Sequence, residues 1–137
     1  MRVFDTSFII DLSNDDSGAI SLANTVDKEG SVAAISVVSV HEYMFGIHIK
    51  YFKEEKEVQK AKLEAAEKQL MAFMILPLTQ EIAIESARIE AVLTKRGQII
   101  GINDIYIAAT AMVNKASVVT RNSSHFGQVQ ELSVEEY

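Results

Sequence analysis

Short runs of apolar residues alternate along this chain with longer segments whose apolar positions recur at helical spacing. The apolar runs predict strands over residues 2–5, 32–36, 74–78, 116–120 and 132–134. The longer segments predict helices over residues 6–12, 19–28, 39–50, 51–70, 79–96 and 101–111. Because strands and helices alternate, we expect a single domain over residues 1–137. Its expected fold class is α/β, with three α/β/α layers around a central, mostly parallel sheet of four to five strands.

Capping and turn residues indicate where several of these elements begin and end. Asp5 or Thr6 is expected to cap the first helix, and Gly30 to end the second. Pro77 has no backbone N–H to donate, so its strand is expected to lie at a sheet edge or to end there. Asn103 is expected to cap the helix over residues 101–111.

The composition narrows the class of protein. A length of 137 residues is typical of one domain, which buries roughly two-thirds of its unfolded surface. The absence of cysteine excludes disulfides, thiolate metal sites and cysteine nucleophiles, and it fits a reducing compartment. No signal peptide or membrane helix is visible, so we expect a cytoplasmic protein without a membrane partner. The net charge of −6 argues against a general nucleic-acid coat protein, so contact with nucleic acid must be local or metal-assisted.

Four polar residues fall where parallel strands end or helices begin. Asp5 ends the first strand, and Glu42 lies in the helix after the second. Asp104 lies near the start of the last predicted helix, and Asn122 follows the strand over residues 116–120. Strand ends of a parallel sheet share one edge, where open α/β folds place their chemistry. Three carboxylates in one pocket repel one another, so a divalent cation is the natural compensation, and oxygen ligands suit Mg²⁺ or Mn²⁺ better than zinc.

Each of these positions also has a purely structural interpretation. Asp104 near a helix start meets the positive end of the helix dipole, which is worth roughly 0.3–1 kcal/mol. Glu42 with Ser39 forms the pattern of a capping box. Three neighbouring hydroxyl residues are typical cap or turn residues, or would orient metal-bound carboxylates: Thr6, Ser7 and Thr120. A zinc-protease site at Glu42 is excluded, because the histidine after His41 is His48, seven residues on instead of four.

Four segments in order carry a resemblance that covers nearly the whole chain. They are residues 3–10, the segment ending at Glu42, residues 104–111 and residues 119–126, the last ending in His125-Phe126. Together these segments resemble a PIN domain and, in this compact form, the VapC toxins of toxin–antitoxin pairs. The resemblance implies an Mg²⁺- or Mn²⁺-dependent endoribonuclease, with a small antitoxin and a toxin homodimer as partners besides the RNA substrate.

The resemblance also assigns roles to residues of this chain. Asp5, Glu42 and Asp104 match the family's core acids: the two aspartates are expected to ligate the metal, and Glu42 to bind it through water or to act as base. Asn122 stands where many relatives carry a fourth acid, which puts a second metal in doubt. Arg121 either steadies the phosphate or is an exposed strand-end charge.

The charged segment over residues 51–70 has three open interpretations: its lysines guide RNA, it offers a partner groove, or it is a solvated face. Apolar residues around it are candidates for a dimer interface or for core: Phe45, Tyr51, Phe52 and Met71.

Two alternative functions remain open at this point. One is a PIN fold with weakened catalysis that serves as a binding module, an interpretation that Asn122 keeps open. The other is a receiver-like or phosphatase-like phosphoryl-transfer domain on a similar sheet. A receiver needs a lysine after a late strand, and Arg121 and Asn122 stand there instead.

Overall fold

The computed structural model describes residues 1–137, and five parallel strands form its central sheet. The strands are β1 (Arg2–Phe4), β2 (Ala33–Ser36), β3 (Met74–Leu76), β4 (Ser117–Thr120) and β5 (Val134–Glu136). They lie in the order β3-β2-β1-β4-β5, and every neighbouring pair is parallel. β1 is therefore central, and its carboxyl end lies between those of β2 and β4.

Seven helices connect and flank these strands. They are α1 (Thr6–Ser13), α2 (Ser17–Glu29), α3 (Val37–Lys50), α4 (Lys56–Leu70), α5 (Gln80–Lys95), α6 (Ile102–Val113) and α7 (Ser123–Phe126). No helix is long and apolar enough to cross a membrane.

The sheet is buried on both faces, because consecutive residues of its strands belong to different cores. Val3 and Val118 lie in a cluster with α5 and α6, whereas Phe4 and Val119 lie in a second cluster with α1 to α4. Alternate residues of a strand point to opposite faces, so these two clusters occupy the two sides of the sheet. The observed architecture confirms the predicted three-layer α/β/α class.

Several predicted caps are confirmed by the structure. Asp5 caps α1, and Gly30 ends α2 with a left-handed φ of 63° that favours glycine. Thr79, where the sequence predicts a helix to begin, is the N-cap of α5, and its hydroxyl accepts a hydrogen bond from the Ile82 N–H at 3.2 Å. Pro77 directly follows β3, which is an edge strand, as the residue's missing N–H requires.

Several predicted boundaries are wrong. The last strand lies over Val134–Glu136 instead of residues 132–134. Ser36, not Ser39, caps α3, so the capping-box interpretation of Glu42 fails, and Ser39 is a fully buried residue inside the helix. Gly101, not Asn103, is the N-cap of α6, and it supplies no side-chain bond. The charged helix begins at Lys56 instead of residue 51, because a turn separates α3 from α4.

Candidate active site

Asp5 is held at the carboxyl end of β1 by three hydrogen-bond donors. Its Oδ1 accepts from the Thr6 N–H at 2.7 Å, and its Oδ2 accepts from the hydroxyls of Ser7 and Thr120, each at 3.0 Å. The Asp5 N–H donates to the Val119 carbonyl at 2.9 Å, which ties this position to β4. The carboxylate is therefore fixed in orientation at the junction of the two central strands.

The surroundings of Asp5 destabilise the ionised form of its carboxyl group. Burial raises the pKa of its carboxyl, and the nearby negative charge of Asp104 raises it further, while the hydroxyls of Thr120 and Ser7 and the Thr6 N–H lower it. The net direction is upward. Asp5 and Asp104 therefore repel each other through a partly buried region, and a bound cation would relieve that repulsion.

Glu42 joins the same network through a buried threonine. The Thr6 hydroxyl donates to Glu42 Oε1 at 2.7 Å, and Thr6 is 7% exposed. Glu42 Oε2 has no protein hydrogen-bond partner. Because the N–H of Thr6 bonds Asp5 and its hydroxyl bonds Glu42, one residue orients two of the predicted acids.

Asp104 lies in the first turn of α6 and contacts a histidine that the sequence-based assignment of roles missed. His125 Nδ1 lies 2.9 Å from Asp104 Oδ2, and Asp104 Oδ1 has no protein partner. The signal was present in the sequence, since His125 belongs to the last of the four segments that carried the resemblance. The contact makes His125 a candidate for orienting Asp104.

Asn122 occupies the edge of the site but uses its side chain locally. Its N–H donates to the Thr120 hydroxyl at 3.1 Å, which links it to the network around Asp5. Its Oδ1 accepts from the N–H of Ser124 at 3.2 Å and from the Ser124 hydroxyl, and so caps α7. Its role as a fourth site residue stays a prediction.

Arg121 points toward the ends of α1 and α2. Its Nε lies 3.0 Å from Asp11 and its terminal nitrogen 2.8 Å from Asp16, and its guanidinium lies 5.7 Å from the centroid of the Tyr137 ring. The side chain is 50% exposed. This geometry favours the interpretation of Arg121 as a partly exposed charge at a strand end over its interpretation as a phosphate contact.

The donor set is suited to a hard cation, although the acids do not form a closed cage. Asp5, Glu42 and Asp104 offer only oxygen atoms, and two of them each keep an oxygen without a protein partner. No group of three or more acidic or histidine side chains lies close enough together to hold one ion. The chemistry of the donors fits Mg²⁺ or Mn²⁺, while ligation by three carboxylates stays a prediction.

A match to a family model covers residues 2–132, almost the entire fold described above, and its description is PIN domain. The chain belongs to the PIN-domain family. Ribonuclease VapC1 of Methanocaldococcus jannaschii is 33% identical to it over 104 residues, which cover 76% of this chain and 69% of the relative. A VapC ribonuclease of Pyrococcus furiosus is 30% identical over 101 residues, which cover 74% of this chain and 62% of that protein.

Solved structures share the fold of this PIN domain over nearly its full length. VapBC2 of Rickettsia felis, bound to a DNA fragment from its promoter, matches with a TM-score of 0.83 and 22% identity over 99% of this chain and 98% of the other. FitAcB of Neisseria gonorrhoeae matches with a TM-score of 0.83 and 24% identity over 98% of this chain and 96% of the other. At these identities the similarity establishes the shared fold.

Proposed function

We propose that this PIN domain is an Mg²⁺- or Mn²⁺-dependent endoribonuclease that acts as the toxin of a toxin–antitoxin pair. The observation that carries the proposal is the hydrogen-bonded network at the end of β1, in which Thr6 orients both Asp5 and Glu42. The repulsion between Asp5 and Asp104 adds a reason for a cation at the same place. The matched proteins of M. jannaschii and P. furiosus are named ribonucleases, which supports the same reaction class.

In the proposed site, Asp5 and Asp104 would hold the ion, and Glu42 would bind it through water or act as base toward the attacking water. The donors to Asp5 and the contact from His125 to Asp104 keep these carboxylates in place. When bound, the ion would polarise a phosphate oxygen and lower the pKa of the attacking water.

The protein's own contribution to the reaction is to orient groups and to accept a proton. Thr6 holds Glu42 Oε1, which leaves Oε2 to accept the proton of the water that attacks the phosphorus. A new P–O bond forms while the P–O bond to the leaving sugar oxygen breaks, and solvent protonates that oxygen. Asn122 lies beside this network and is proposed to offer its amide N–H₂ to a phosphate oxygen, because its Oδ1 is engaged by Ser124.

The direct test is cleavage of RNA by the purified protein with controlled divalent ions. We expect cleavage of labelled single-stranded or structured RNA with Mg²⁺ or Mn²⁺, none with excess chelator, and recovery when Mn²⁺ is added back. The reaction with excess chelator also reveals contaminating metal-independent nucleases, because their activity would persist there.

Two outcomes of the cleavage test would favour the alternatives. No cleavage of any RNA, together with tight binding of a small co-encoded protein, would indicate the weakened binding module. An aspartyl-phosphate formed from a small phosphodonor would indicate the receiver-like domain, which the PIN family match already disfavours.

We also propose an antitoxin partner and a homodimer. The structurally similar assemblies include toxin–antitoxin complexes, and apolar side chains of α3 and of the turn after it are open to solvent: Phe45 is 58% exposed, Ile49 60% and Phe52 74%. Met71 is 83% exposed, whereas Tyr51 is partly buried and so is a poor interface candidate. Exposed apolar patches of this kind mark interaction surfaces.

The proposed dimer is tested by sedimentation equilibrium of the protein without its antitoxin. We expect a dimer for the parent protein and a monomer for Phe45→Glu, because a buried charge at a dimer interface is strongly unfavourable. Lys95→Glu, at an exposed position at the end of α5, is the control and should remain dimeric. A monomeric parent at all concentrations would refute the homodimer.

A further inference from the structure

A groove of about 450 Å³ lies between α3 and α4, away from the acids at the end of β1. Its floor includes Tyr43 and Tyr51, and lysines line it at three positions: Lys50, Lys62 and Lys68. No aspartate or glutamate lines it. In a chain with a net charge of −6, a concave surface with three lysines and no acid is a local reversal of charge.

The positive charge of this groove is not neutralised by neighbouring carboxylates. Lys50, Lys62 and Lys68 form no salt bridge within 4.0 Å, whereas Arg2, Arg88 and Arg121 are each paired with an acid. The amines of Lys50 and Lys62 instead lie 5.5 Å and 5.3 Å from the centroid of the Tyr51 ring. These lysines therefore remain free to bind an anion.

The groove and the acidic site share helix α3. Tyr43, in its floor, directly follows Glu42 in α3, and Lys50 ends the same helix. Eight residues of helix separate Glu42 from Lys50, which corresponds to roughly 12 Å. A site built of carboxylates repels phosphates, so a phosphodiester chain would gain its affinity from cations beside the site.

We propose that the groove between α3 and α4 binds the phosphate backbone of single-stranded RNA outside the cleaved bond. The proposal rests on the proposed ribonuclease function and names where this acidic protein would hold its substrate. Positive grooves that contain aromatic residues are a common way to bind single strands without reading sequence. The lysines would therefore set affinity and salt dependence, while the acids at the end of β1 would carry the reaction.

The floor of the groove favours a polyanion over an acidic helical peptide. A docked helix needs open apolar pockets for its anchor residues. Here the Tyr43 hydroxyl donates to Gln69, and the amines of Lys50 and Lys62 lie near the Tyr51 ring, so polar groups of the chain already engage both aromatic side chains of the groove. The three lysines, in contrast, match a row of phosphates in charge.

The test measures equilibrium binding of a fluorescent single-stranded RNA to the full chain, with chelator present to prevent cleavage, over a range of salt concentrations. In the groove variant, Lys50, Lys62 and Lys68 are together replaced by Gln. The slope of the logarithm of the RNA association constant against the logarithm of salt concentration should become shallower by about 2, since each phosphate contact to a single strand contributes roughly 0.7. We expect at least a tenfold loss of affinity at low salt. A matched variant with Lys28→Gln, Lys56→Gln and Lys95→Gln changes the net charge equally at exposed positions outside the groove.

The control variant should keep the salt dependence of the parent protein within error. An unchanged slope in the groove variant, or an equal loss in both variants, would overturn the proposal. The proposal would also be overturned if the groove variant still bound RNA but no longer bound a helical glutamate-rich peptide. That result would indicate a protein ligand for the groove. If the parent binds RNA through the groove but never cleaves it, the ribonuclease function is refuted, whereas RNA binding by the groove is supported. If the groove variant cleaves and binds RNA as the parent does, RNA binding by the groove is refuted, whereas the proposed ribonuclease function is not.

Discussion

Asp5→Asn is expected to reduce metal-dependent RNA cleavage by at least about 100-fold without unfolding the protein. Loss of a residue that merely orients a ligand already costs roughly 10–100-fold in affinity or activity, and Asp5 is proposed to bind the ion itself. The asparagine Oδ1 can still accept from the Thr6 N–H, so the cap of α1 is retained. The measurement is the single-turnover cleavage rate at saturating Mn²⁺, with the Mn²⁺ affinity determined separately.

The same substitution is expected to stabilise the metal-free protein at neutral pH. The folded-state pKa of Asp5 lies above its ordinary value of 3.8, so ionising this carboxyl is harder in the folded chain than in the unfolded one. The parent therefore loses stability as pH rises from 3.8 through the folded-state pKa, and this loss is complete above that pKa. Asparagine carries no such charge, so its advantage should grow as pH rises through the folded-state pKa of Asp5 and vanish well below pH 3.8.

Asp27→Asn is the matched control, because Asp27 is an exposed acid of α2 outside the network. It should cleave RNA as the parent does and show little change in stability. Parent-like cleavage by Asp5→Asn would remove Asp5 from the site. Parent-like stability at neutral pH would show that burial and the charge of Asp104 do not destabilise ionised Asp5 in the metal-free protein.

Phe8→Ala is expected to lower the free energy of unfolding by about 3–5 kcal/mol, the usual cost of such a truncation in a core. Phe8 is 1% exposed, and its ring centroid lies 4.3 Å from that of Phe4 and 6.4 Å from that of Phe73. It also meets the Tyr137 ring edge-on at 5.2 Å. Removing the ring therefore opens a cavity where α1 packs on the sheet, and urea denaturation measures the loss.

Phe8→Leu is the matched control, because it keeps an apolar side chain of similar reach at the same buried position. We expect its cost to be clearly smaller than that of the alanine variant. A loss below about 1 kcal/mol for Phe8→Ala would mean that the core around α1 collapses to fill the space.

The layered fold was predictable because it is encoded by local patterns. The strands are short apolar runs bounded by turns and helix starts, and burial on both faces makes them apolar throughout. Capping is decided by finer geometry: Ser36 and Ser39 are both plausible caps, and the pairing of Ser36 with Leu76 of β3 fixes where β2 ends. The break before α4 was missed because residues 51–55 include charged residues that are acceptable in a helix. Gln59 closes the turn by donating to the carbonyls of Phe52 and Glu54, each at 3.0 Å.

The predicted acids could be placed because strand ends of a parallel sheet share one edge. Asp5 and Glu42 meet through Thr6 as that argument requires. His125 stood in one of the four segments, but its contact with Asp104 could not be predicted, because it depends on how α7 lies beside α6. The ion pairs of Arg121 could not be predicted for the same reason, since its two acidic partners are Asp11 of α1 and Asp16, the N-cap of α2.

The three donors around Asp5 have a consequence for the entropy of ion capture. A free carboxylate side chain loses rotational freedom when it coordinates a cation, and that loss weakens binding. The Thr6 N–H and the hydroxyls of Ser7 and Thr120 already restrict the Asp5 side chain when the chain folds. Ion binding at Asp5 would therefore cost little further side-chain entropy. The affinity for the ion would depend on charge and desolvation far more than on lost conformational freedom.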